Sequence, residues 1–141
     1  MDYILETERL RLREFTGGDT AFIIELLNSP GWLQFIGDRN VKTEEQALSY
    51  LENGPMKSYA VNGFGLSMVE TKYGIPIGMS GIIRRDNLEN PDIGFAFLPA
   101  FDGKGYGFEI ASALSVYAKD SLGLSTISAI TVPGNVKSIR L

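Results

Sequence analysis

Apolar and polar residues first alternate at Leu10 and Leu12, set between Arg9, Arg11 and Arg13. A period of two marks a half-buried strand and predicts the arginines on its solvent side. The period then lengthens. Thr16-Gly17-Gly18-Asp19 supplies turn and cap residues, and Phe22, Ile23, Leu26 and Leu27 recur at helical spacing until Ser29-Pro30. Thr43 with Gln46 three residues on fits a capping box. Ala47, Leu48 and Leu51 form the buried side of the helix it opens, and Gly54-Pro55 stops that helix. Residues 64–70 read as a strand, 71–74 as a turn and 75–83 as the hairpin partner. Pro76 suits an edge or a strand start, and Gly78 or Gly81 a bulge. After a polar loop, residues 93–98 form a short apolar run, the mark of a buried strand, closed by Pro99. Ile110, Ala111, Leu114, Tyr117 and Ala118 share one face of a helix that ends at Gly123. Residues 126–132 are a last strand, and Asn135 caps a short final helix.

At 141 residues the chain is one domain, 1–141, large enough for a single core. With 44% hydrophobic and 21% charged residues it has the composition of a soluble globular protein, and a cytoplasmic location follows. No apolar run approaches a membrane span. Cysteine and histidine are absent, which removes disulfides, Ser-His-Asp and Cys-His catalysis, and His-based zinc chemistry. No metal site is expected. A net charge of −4 argues against nucleic-acid or anionic-membrane partners.

Candidate chemistry concentrates in residues 92–121, a strand, a glycine loop and a helix. Glycines alternate at 103, 105 and 107. Without a Cβ the backbone there can take unusual dihedrals and admit a ligand closely. The helix that follows opens with unpaired N–H groups and a positive dipole end, which together suit a phosphate or pyrophosphate. G-x-x-x-x-G-K-[ST] is absent. The dinucleotide spacing G-x-G-x-x-G fails because Phe108 stands where the third glycine belongs.

The stretch resembles the acetyl-coenzyme A site of the GNAT N-acetyltransferases, and most of all the RimJ/RimL-like branch. The residues that carry the likeness are Ile93-Gly94-Phe95, Pro99, Gly103-Lys104-Gly105-Tyr106-Gly107 and Glu109. The opening Glu6-Thr7-Glu8-Arg9-Leu10-Arg11-Leu12-Arg13 and the N-x-x-S of Asn135 and Ser138 extend it over essentially the whole chain. Asp102 stands where the family motif has Arg or Gln, which removes a contact to the pyrophosphate. The resemblance implies an α+β fold with a central mixed, mostly antiparallel sheet flanked by helices. Family members continue past this point with two more strands. The sequence as it stands therefore predicts either a fragment or a sheet completed by self-association, as in a homodimer.

The activity implied is acetyl transfer from acetyl-CoA to a primary amine, a protein N-terminus or a small amine, by direct attack in a ternary complex. The alternative is a non-catalytic acyl-CoA-binding or interaction module. Gly103, Lys104, Gly105, Tyr106, Gly107 and Phe108 would bind the pyrophosphate through backbone amides. The edge at Phe95, Ala96, Phe97 and Leu98 would pair with the pantetheine arm. Asp92 would deprotonate the amine through a water, or else serve as a cap or loop ion pair. Asn135 and Ser138 would bind cofactor or an ordered water, with a plain helix cap as the other role of Asn135. Trp32 and Phe35 would wall the acceptor pocket, or else plug the core. No tyrosine follows Tyr117, so no general acid is assigned.

Overall fold

The alternation at Leu10 and Leu12 does become a strand. β1 (Leu5–Glu6) pairs antiparallel with β2 (Leu10–Arg13), and a 3₁₀ turn at Gly17–Asp19 leads into α1 (Thr20–Leu27). Then follow α2 (Glu44–Asn53), α3 (Pro55–Asn62), β3 (Leu66–Thr71), β4 (Pro76–Ile83), β5 (Asp92–Phe97), α4 (Tyr106–Ser121) and β6 (Ser128–Ala129). The computed structural model describes residues 3–29, 41–83, 92–101, 103–123 and 128–129, with Asp92, Ser128 and Ala129 described by backbone alone. Sheet order is sequential from β1 to β6. The first five strands pair antiparallel and β6 runs parallel to β5. A parallel neighbour requires a crossover, and α4 supplies it.

Strand alternation sends two sets of side chains to opposite faces. On one face Leu10, Leu12, Val69, Ile82, Ile93, Phe95 and Phe97 meet Ile110, Ala111, Leu114 and Ala118 of α4. On the other, Met68, Met79, Ala96 and Leu98 meet α1 through Phe22, Ile23, Leu26 and Leu27, and α2 through Ala47 and Leu51. The result is the expected α+β architecture, a mostly antiparallel sheet between helical layers. Each fully buried Leu, Ile or Phe contributes about 1.5–3 kcal/mol, so neither face could be left bare. Among the described residues no helix is long and apolar enough to cross a membrane.

Three local expectations change. Gly54-Pro55 ends α2, but Pro55 also starts α3 at its first turn, where a missing N–H costs nothing. α3 is held to the sheet by Tyr59, whose hydroxyl accepts the Phe15 N–H at 3.0 Å and donates to the Leu66 carbonyl. Burial pushes its phenol up to about 12. The β3–β4 register shifts where Val69 faces Gly78 and Glu70 faces Pro76, so the extra residue is Ile77, beside Gly78. Gly81 lies in regular ladder, where a Cβ would come within 2.1 Å of the Gly65 carbonyl oxygen.

The third change concerns the arginines. Arg13 is not on a solvent side; it is 6% exposed. Its Nη atoms fork onto Asp19, both at 2.9 Å, and its Nε reaches Glu70 at 2.8 Å. Arg11 stands 3.9 Å from the same Glu70, and the Tyr3 hydroxyl donates to it at 3.3 Å. The 3₁₀ turn folds Asp19 back over β2, through a capping box with Thr16, and so converts this face of the strand into a buried ionic cluster. Burial opposes the Asp19 charge, but the hydrogen bonds from Arg13 and from the Thr16 N–H outweigh it and hold the carboxyl below its usual range.

Candidate anion site at the start of α4

β5 runs through a 3₁₀ turn, Pro99–Phe101, into the glycine loop. Gly103 and Gly105 have φ of +74 and +82, the left-handed region that side chains disfavour. Gly105 is the N-cap of α4, and no side chain caps this end. The first helical bond runs from the Glu109 N–H to the Gly105 carbonyl, 3.1 Å. The N–H groups of Tyr106, Gly107 and Phe108 therefore precede it and carry the partial positive charge of the helix end. A Cβ on Gly103 would meet nothing within 4 Å. Such a donor set fits a pyrophosphate. Gly107 has a different reason to be glycine. A Cβ there would lie 2.4 Å from the Phe95 ring, so its smallness lets α4 lie close on β5, while its N–H stays at the helix end.

Phe95, Ala96, Phe97 and Leu98 are all buried in side chain, but their backbones divide. Leu98 N–H donates to the Ile77 carbonyl at 2.9 Å. By alternation Ala96 also faces β4, whereas Phe95 and Phe97 turn their N–H and C=O groups to the other edge. On that side β6 pairs with Asp92 and Ile93. Asp92 opens β5 opposite Ile83, roughly 17 Å from Phe97 at ~3.4 Å per residue. Ile83 lines a cleft of about 510 Å³ together with Tyr50, Pro55, Ser58, Val61 and Leu66. Trp32, Phe35, Asp102, Asn135 and Ser138 lie outside the described residues.

Glu109, in the first turn of α4, takes its partners from the N-terminal segment. Its carboxylate accepts the Thr7 hydroxyl, the Arg9 N–H at 3.0 Å and Arg9 Nε at 2.6 Å. Arg9 goes on to the Lys104 carbonyl, 3.2 Å, and lies 4.5 Å over the Tyr106 ring. Tyr106 in turn touches the rings of Phe97 and Phe101 at 6.2 and 6.5 Å between centroids. No local pattern in the sequence could reveal pairs about a hundred residues apart. Burial raises the Glu109 pKa, but these hydrogen bonds and the Arg9 charge win and lower it.

Asp19 and Glu109 thus share one sign. A carboxyl with a depressed folded pKa adds stability that is complete above its unfolded pKa of about 4. That stability is lost as pH falls through the folded value. Thermal melting is expected to stay flat, as far as these groups go, from pH 7 to roughly pH 5 and to fall below that. Replacing both residues by their amides should flatten the acid limb.

A model of the acetyltransferase (GNAT) domain matches residues 9–141. The chain is similar to the uncharacterized N-acetyltransferase YoaA of Bacillus subtilis, 29% identical over 98% of this chain and 78% of that protein. The fold matches an acetyltransferase from Agrobacterium tumefaciens with a TM-score of 0.72 and 24% identity, covering 90% of this chain and 72% of that one. It also matches RimL, a ribosomal L7/L12 alpha-N-protein acetyltransferase in complex with coenzyme A. There the TM-score is 0.69 at 14% identity, over 85% of this chain and 70% of that one. Because the family model spans nearly the whole chain, the strand, glycine loop and helix included, the chain belongs to the GNAT acetyltransferase family and is an acyltransferase.

Proposed function

We propose that the chain is a RimJ/RimL-like N-acetyltransferase of the cytoplasm. It transfers an acetyl group from acetyl-CoA to the primary amine of a protein N-terminus or a small molecule. The observation that carries this reading is the uncapped start of α4 behind two glycines of positive φ. The amides of residues 103–108 receive the pyrophosphate of the donor. The outward N–H and C=O groups of Phe95 and Phe97 pair with its extended amide arm, as an added strand would. A backbone N–H on the same edge polarises the thioester carbonyl, where negative charge grows as the amine attacks. RimL, described with coenzyme A bound, supports the donor class. Neither metal, nucleic acid nor membrane takes part.

The acceptor amine must lose a proton before or during attack. Asp92 is the proposed base, acting through a water, with the cleft beside Ile83 as the approach for the amine. Asn135 and Ser138 complete the donor site, and Trp32 and Phe35 wall the acceptor side. Acetyl-CoA is offered with a panel of primary amines and free thiol is measured. Amine-dependent thiol release is expected. Asp92→Asn should lower turnover by about 100-fold or more, as loss of a general base does, with coenzyme A affinity within roughly twofold. Coenzyme A binding without thiol release on any amine would assign the chain to the acyl-CoA-binding reading. Wild-type turnover in Asp92→Asn would remove Asp92 from the reaction.

A further inference from the structure

We propose that Thr7, Arg9 and Glu109 form a latch that positions the glycine loop, and that Glu109 is its central positioning residue. The inference rests on the reading of that loop as the donor's pyrophosphate site. A glutamate in the first turn of α4 would, if free, place a negative charge beside an incoming anion. Here the carboxylate is occupied. One oxygen takes the Thr7 hydroxyl and the Arg9 N–H, and the other takes Arg9 Nε. Its side chain is 19% exposed, and its charge is matched by Arg9.

The second half of the latch is the rest of the guanidinium. Nη1 donates to the Lys104 carbonyl, the plane lies over Tyr106, and Nη2 lies 3.5 Å from where a Gly105 Cβ would stand. One residue of the N-terminal segment therefore touches Lys104 and Tyr106 and lies beside Gly105 between them. The Lys104 contact has a directional consequence. In a trans peptide the C=O and the following N–H point to opposite sides. Holding the Lys104 carbonyl toward Arg9 turns the Gly105 N–H away from Arg9. Arg9 thus does not supply the cation missing at Asp102; it sets the loop so that backbone amides can act in its place. Preorganised donors bind without the cost of ordering the loop on each encounter.

Arg9 is half exposed, so the ion pair itself adds little to global stability. The latch should show mainly in loop order and donor affinity, and only slightly in melting. Two readouts separate it from the cofactor reading. The first is hydrogen exchange in the free protein. Glu109→Ala and Arg9→Ala should speed exchange at the Glu109 N–H, the first protected amide and the one bonded to the loop at Gly105, and leave β3 and β4 unchanged. The second is coenzyme A binding by calorimetry. Each variant should weaken it about tenfold, the worth of one charge-assisted hydrogen bond, and the double variant no further. In turnover the loss should fall on the KM for acetyl-CoA, with kcat nearly kept. Glu109→Gln, which keeps the shape and one acceptor, should recover part of the affinity. If an alanine variant fails to fold, Glu109→Gln is judged by the same readouts.

Unchanged exchange at the residue 109 amide in folded variants would overturn the latch, as would losses that add to about a hundredfold in the double variant. A wild-type protein that does not bind coenzyme A would overturn the cofactor reading, while the exchange data would still judge the latch.

Discussion

Gly105→Val is expected to abolish coenzyme A binding in a protein that still folds. Gly105 holds φ at +82 as the N-cap of α4. A β-branched residue disfavours that region strongly, and strain of this kind costs of order 1–3 kcal/mol. The loop can relieve it only by rotating the peptides on either side, and those peptides carry the amides proposed to bind pyrophosphate. The branches of the side chain would also press on Arg9 Nη2, which lies 3.5 Å from where the Cβ would stand. Together the two effects should lower affinity by roughly 100-fold or more. Gly103→Ala is the control. Its φ is also positive, but its Cβ would meet nothing within 4 Å, so it tests strain with little crowding and should lose less. The core should tolerate the Gly105 change, because the N-cap lies outside both hydrophobic clusters. Wild-type affinity in Gly105→Val would move the donor site elsewhere.

Arg13→Ala carries the largest expected cost in stability. The side chains of Arg13, Asp19 and Glu70 are only 8%, 11% and 7% exposed. Removing the cation leaves two buried carboxylates, one of them without its fork. Breaking a buried pair from one side typically costs about 3–5 kcal/mol, or roughly 10–20 °C in melting temperature for a chain of this size. The cost should depend on pH with a definite sign. Arg13 holds the Asp19 pKa down, so the interaction is complete above the unfolded value and disappears as Asp19 protonates. The gap between wild type and variant should therefore narrow below about pH 4. A shift of under about 3 °C at pH 7 would show that the cluster contributes little net stability.

How far the sequence reveals this protein depends on the range of the interaction that decides each feature. Periodicity is local, and it finds α1, α2, β2 to β5 and α4, because each buries one stripe or one face. The glycine loop is legible for the same reason. Positive φ at Gly103 and Gly105 needs glycine whatever surrounds it. Features set by distant partners are not legible. Arg13 has the pattern of a solvent-facing residue and becomes buried because the turn at Gly17–Asp19 folds Asp19 onto it and Glu70 lies across the sheet. Gly107 has the pattern of a ligand-contact glycine, yet it is small because the Phe95 ring occupies the space. Pro55 is both a stop and a start, and the second meaning shows only with α3 in place. Glu109 belongs to the recognisable motif, but its role depends on Thr7 and Arg9, a hundred residues away.

The most direct test of the central claim is amide hydrogen exchange with and without saturating coenzyme A. The account predicts that exchange slows at residues 105–108, where the loop meets α4, and at Phe95 and Phe97, whose amides face away from β4. Ala96 and Leu98, already turned toward β4, should change little. Exchange at residues 105–108 that is the same with and without coenzyme A would contradict it.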